Sequence, residues 1–177
     1  MLRLTIPPEQ GLWCAGDHDP PLRVSGIQSG VFSGPVGSTV GQQPFRDGLE
    51  VRESQPTRWG WTPHYGRLEV RARMELSARS MASVWMVGLE EEPTRSAEIC
   101  VFDVSEFHVY AADWQPGRVD LFVDGQPTKT VHQAPDYPMQ MMVAVFDFPD
   151  KAGAPAEPTP TPLFAVDYVR GGAVSRP

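Results

Sequence analysis

From Tyr65 to Leu76 apolar and polar positions alternate without a break. Gly66, Leu68, Val70, Ala72, Met74 and Leu76 fall on one parity, and Tyr65, Arg67, Glu69, Arg71, Arg73 and Glu75 on the other. Period two over this length predicts a strand with an apolar inner face and a charged outer face, because a helix would scatter the same residues around its axis. Shorter runs follow at close intervals. Residues 81–89 are apolar, Ile99-Cys100-Val101-Phe102 is a brief apolar run, and residues 107–114 alternate. Residues 119–123 alternate too and end in Asp124-Gly125, a hairpin pair. Residues 139–148 form a long apolar strand and residues 163–169 a closing one. Upstream, weaker strand patterns occur at 2–6, 11–15, 22–32 and 49–51, and no segment carries a convincing helical stripe. Many short strands between turn signals predict an all-β antiparallel sandwich or barrel.

Composition agrees with that reading. The chain has 177 residues, the size of one domain with one core, and carries 16 Gly and 19 Pro, turn formers spread along its length. Residues 149–162, with five prolines among Ala and Gly, read as an extended loop between two strands. The net charge is −7 and no Lys/Arg cluster is present, which argues against nucleic acid as a partner. No apolar run is long enough for a membrane span. The N-terminus lacks a secretory signal, so the chain as written is expected in the cytoplasm, or outside the cell if a leader precedes it. Two cysteines, Cys14 and Cys100, are too few for a disulfide framework and leave a single bridge between them open.

The chemistry centres on Ser96-Ala97-Glu98-Ile99-Cys100-Val101-Phe102-Asp103. Two carboxylates flank an otherwise mostly apolar strand, where an acid is costly without a purpose or a partner. Retaining glycosidases use two carboxyls about 5–5.5 Å apart, one as nucleophile and one as acid/base. The competing reading is that both acids bracket the strand and face solvent. In a regular strand Glu98, Cys100 and Phe102 share one face while Asp103 lies on the other. Cooperation between Glu98 and Asp103 therefore requires a β-bulge between them.

The same segment resembles the Glu-Ile-Asp-Ile-x-Glu signature of the family 16 glycoside hydrolases, the laminarinase and lichenase group. Further matches follow in that family's order. Tyr65-Gly66-Arg67-Leu68-Glu69-Val70-Arg71-Ala72-Arg73 is similar to its Tyr-Gly-x-x-Glu-x-Arg-x-Lys strand, and Val84-Trp85-Met86 to the strand preceding the signature. Phe107-His108-Val109-Tyr110-Ala111-Ala112-Asp113-Trp114 resembles its Phe-His-x-Tyr-x-x-x-Trp, Val123-Asp124-Gly125 its hairpin, and Val166-Asp167-Tyr168-Val169-Arg170 its closing strand. The resemblance spans about residues 60–170 and implies a concanavalin A-like jelly roll with a bulged catalytic strand.

By position it implies Glu98 as nucleophile, Asp103 as acid/base, Cys100 in place of the family's middle Asp, and His108 as a histidine beside the acid/base. Two positions depart from the pattern. Asp103 is one methylene shorter than Glu, about 1.5 Å of reach, and about 1 Å of misplacement can cost on the order of a hundredfold in rate. Cys100 replaces a carboxylate with a thiol that donates weakly, which should let Glu98 ionise more easily. The implied substrate is a β-linked polysaccharide or oligosaccharide, cleaved with retention; the alternative is a catalytically weakened, lectin-like carbohydrate-binding domain.

Aromatic platforms for sugar are expected at Trp59, Trp61, Tyr65 and Trp85, with Arg58 and His64 beside them. Packed aromatics under a loop are the competing reading, and Trp13 and Trp114 are as readily core residues. No cofactor is implied. Some family members hold a structural calcium on the convex face, but nothing in this sequence identifies its ligands.

Overall fold

The computed structural model describes residues 1–40, 45–89, 96–101, 105–151, 153–154 and 160–173, with 96–101 described by their backbone alone. Twelve strands are formed among these residues: β1 (Leu2–Thr5), β2 (Arg23–Gln28), β3 (Gly30–Val31), β4 (Arg58–Trp59), β5 (Gly66–Glu75), β6 (Ser80–Gly88), β7 (Ser96–Val101), β8 (His108–Gln115), β9 (Arg118–Val123), β10 (Gln126–Val131), β11 (Met139–Asp147) and β12 (Leu163–Gly172). They build a six-stranded sheet in the order β1-β12-β5-β8-β9-β10, a four-stranded sheet in the order β2-β11-β6-β7, and the short pair β3-β4. All pairings are antiparallel. The expected all-β sandwich is what forms.

The two large sheets bury one shared core. Leu4 of β1, Val70, Ala72 and Met74 of β5, and Phe164 and Val166 of β12 meet Ala82, Val84 and Met86 of β6 and Met139, Met141, Val143 and Val145 of β11. The alternation of β5 is therefore realised as predicted. Its outer face is a charged ladder in which Arg67 donates to Asp113 at 2.8 Å and Arg71 to Asp167 at 2.7 Å. Asp167 is the extra residue where β12 shifts register against β5, so the bulge turns a carboxylate outward onto that ladder.

Strand β11 differs from β5 because it is buried on both sides. An apolar run without alternation is what such a strand requires. At its end, Asp147 and Arg79 are both fully buried. Arg79 Nε donates to Asp147 Oδ1 at 2.6 Å and an Nη to Oδ2 at 2.7 Å, while Arg23 reaches Oδ2 at 3.2 Å. This bidentate pair fastens the β5–β6 turn to β11 and β2.

Two predicted strands do not form, and one strand forms where none was predicted. Residues 11–15 and 49–51 are turns and loops instead of strands. Residues 126–131, whose alternation is too polar to stand out, form β10, an edge strand exposed along almost its whole length. Trp13-Cys14 cannot continue as a strand because Cys14 takes φ 45° in a tight turn closed by the Asp17 and His18 amides donating to its carbonyl. The Pro-rich stretch lies between β11 and β12 as expected.

Candidate functional site

The outer face of the four-stranded sheet floors a groove of about 810 Å3. Cross-strand partners share a face, so the register defines the floor row by row. One row is Gln28, Met142, Trp85 and Glu98; the next is Gly26, Ala144, Ser83 and Cys100. The first row carries bulk and the second hardly any, which hollows the floor beside Trp85. Gly26 is required there, because a Cβ would stand 2.8 Å from the Ala144 Cβ. Phe146 closes the far side, its ring 5.9 Å from that of Trp85.

One wall comes from the loop after β1 and from residues 45–53. Trp13, His18 and Phe45 form a three-ring cluster with centroids 4.9–5.4 Å apart. Asp17 ties the two segments by accepting from Arg46 and, at 2.6 Å, from Arg52. The hydrogen bond from Arg46 is the main reason the Asp17 carboxyl sits below its ordinary pKa. Cys14 also faces the groove, is a free thiol, and is pushed up in pKa chiefly by burial. Among the described residues, the charged groove lining is Asp17, Glu50, Glu53 and Arg52, a mainly acidic set.

Strand β7 pairs with β6 in unbroken register from Ser96 to Val101, with Glu98 opposite Trp85 and Cys100 opposite Ser83. The ladder runs without a bulge as far as Val101, and the bulge expected between Glu98 and Asp103 lies outside the described residues. Asp103 lies outside the described residues, as do the side chains of Glu98 and Cys100. His108 opens β8 in the other large sheet, where its Nδ1 lies 2.5 Å from Asp124 Oδ2.

The expected aromatic platforms separate. Trp85 lies on the groove floor. Trp59 and Arg58 form β4, both exposed, with the Trp59 ring stacked 6.5 Å from Phe32 of the groove lining. Trp61 and Tyr65 instead line a second cavity of about 220 Å3, whose lining includes Met86, Met139 and Trp114 from the core. Trp61 lies flat on β12, where a Cβ on Gly171 would come within 2.1 Å of its ring. Tyr65 donates to Asp136 at 2.5 Å and His64 Nε2 lies 3.1 Å from the same oxygen. Trp114 is a core residue, whereas Trp13 is 41% exposed and part of the groove wall.

Sequence reasoning missed Trp13, His18, Phe45 and Gln140 of the groove. The loop residues carry no periodic signal. Gln140, a lone amide in an apolar strand, was the available clue. Among the described residues no group of three or more His, Cys, Asp or Glu could hold a metal ion, and no helix is long and apolar enough to cross a membrane.

The family model for glycosyl hydrolases family 16 matches residues 100–168, from the second half of β7 to the middle of β12. The sequence is similar to that family over those residues, and the fold is a jelly-roll sandwich of the same kind. Among solved structures, the GlcNAcα1-4Gal-releasing endo-β-galactosidase of Clostridium perfringens is similar over 96% of this chain and 50% of its own, with TM-score 0.70 and 21% identity. This chain therefore spans about half the length of that protein. The laminarinase of Flavobacterium sp. UMI-01 is similar over 84% of this chain and 78% of its own, with TM-score 0.50 and 15% identity. No curated protein matches the sequence. The family match begins within β7, the strand that pairs with β6 in the groove-bearing sheet.

Proposed function

We propose that this chain supplies the substrate groove and catalytic strand of a glycoside hydrolase acting on a β-linked glycan. The observation that supports the reading is the register of β7, in which the backbone of Glu98 pairs with Trp85, a residue of the groove floor. Glu98 is the nucleophile that attacks the anomeric carbon and expels the leaving sugar. Asp103 first protonates the leaving oxygen and then activates the water that releases the glycosyl-enzyme, so configuration is retained. His108, hydrogen-bonded to Asp124, is assigned a supporting position beside the acid/base.

The acidic lining argues for a neutral glycan over sulfated or uronate polymers, whose charges would meet Asp17, Glu50 and Glu53. With Cys100 and a shortened acid in the motif, turnover is expected to be slow.

The test is release of reducing ends from laminarin, lichenan, agarose and xyloglucan, with Glu98→Gln alongside. Activity in the wild type and its loss in the variant support the proposal. Equal signal from both removes it. Binding of a polymer by both proteins without turnover by either would make the chain a lectin-like module.

A further inference from the structure

Gln140 has no exposed surface, and neither its Oε1 nor its Nε2 has a hydrogen-bond partner. An amide buried with both ends unpaired costs stability that an apolar side chain in the same place would not. Yet Gln140 lines the groove, one floor row beyond Trp85 and Glu98, opposite Val87. Next to it stands Trp59. The point where a Gly30 Cβ would sit is 3.0 Å from Gln140 Oε1 and 2.9 Å from the Trp59 ring, so amide and indole flank one small gap that exists because residue 30 is glycine.

The Trp59 ring is 43% exposed and rides on β4, which has only two residues. The segment around it hangs from Ser29, whose hydroxyl donates to the Trp61 carbonyl at 2.7 Å and whose carbonyl accepts from the Gly60 amide at 2.9 Å. The ring also stacks on Phe32, and a turn off that stack is what would open the amide to the groove.

We propose that Gly30, Trp59 and Gln140 form a sugar subsite at the end of the groove, remote from the bond that is cut. The reading rests on the glycan function proposed above. The indole receives the apolar face of a neutral pyranose and the Gln140 amide exchanges hydrogen bonds with its hydroxyls, one as donor and one as acceptor. By strand spacing Gln140 lies about 12 Å from Glu98 across the sheet, two strands over and two residues along. Only a chain longer than a disaccharide seated at Glu98 engages it.

The experiment compares wild type, Gln140→Leu and Gly30→Ala by calorimetric titration with laminaribiose, laminarihexaose, neoagarobiose and neoagarohexaose, and follows thermal unfolding of each. The wild type is expected to bind one hexasaccharide more tightly than its disaccharide. Gln140→Leu should lose about tenfold of hexasaccharide affinity, the value of one lost hydrogen-bonding group, leave any disaccharide affinity in place, and melt at the same or a higher temperature. Gly30→Ala, whose Cβ displaces amide and ring, should show the same selective loss and serves if the leucine variant fails to fold. Wild-type hexasaccharide affinity in either folded variant overturns the subsite and leaves Gln140 to a buried water. A wild type that binds none of the four sugars overturns the subsite together with the glycan reading; one that binds them while the variants match it overturns the subsite alone.

Discussion

Glu98 stands directly opposite Trp85 in the β6–β7 ladder, and Trp85 in turn stands opposite Met142 of β11. A slip of one residue in either pairing would move Glu98 to the core parity of Val84 and Ile99, because side chains alternate with period two. The register of one short strand thus decides which row of the sheet residue 98 joins.

Trp85 is expected to serve as a sugar platform. Withdrawing about 100 Å2 of indole from a sugar face costs roughly 2 kcal/mol, or about thirtyfold in Kd. Trp85→Ala should weaken oligosaccharide binding by about that factor in calorimetric titration. Trp114→Phe, which changes a core residue, should lower thermal stability and leave Kd within about twofold. Unchanged Kd in Trp85→Ala would remove Trp85 from the binding surface.

The buried Arg79–Asp147 pair makes a separate prediction about stability. Replacing Arg79 by Met strands a fully buried carboxylate with one distant partner in Arg23. Breaking such a pair costs about 3–5 kcal/mol, a fall of roughly 10 °C or more in Tm for a chain of this size. The double variant Arg79→Met/Asp147→Leu should recover part of that loss. If the single variant melts within about 2 °C of wild type, the pair contributes little.

Asp124 predicts a pH dependence. Its carboxyl is held below the ordinary value of 3.8, first by the Val109 amide at 2.8 Å and then by His108. A carboxyl with a lower pKa folded than unfolded stabilises the fold above the unfolded value, and that contribution disappears as pH falls through the folded one. Asp124→Asn keeps a side chain that tolerates the observed φ of 49°. It should lower Tm by about 1–2 °C at pH 7, with the gap narrowing below about pH 4. A gap constant from pH 7 to pH 2 would assign the effect to geometry instead of charge.

The sequence by itself determined the β class, the two-faced strand β5, the Asp124-Gly125 turn after β9 and the family resemblance, because each is a local matter of periodicity or turn chemistry. It also marked Glu98, since an acid in an apolar strand is unusual wherever the strand ends up. Only the tertiary structure decided which aromatics share a site with it. Trp61 and Tyr65 lie within six residues of Trp59 in the chain, yet they line the cavity beside the core while Trp59 stacks on Phe32 of the groove lining. Trp13 and Phe45 are far from Trp85 in sequence and come to the same groove through loops closed by Asp17, Arg46 and Arg52. Loop paths depend on long-range contacts that no local pattern encodes. The row that joins Gln28, Met142, Trp85 and Glu98 draws on four strands from residue 28 to residue 142. It exists only because backbone hydrogen bonding fixes three registers at once.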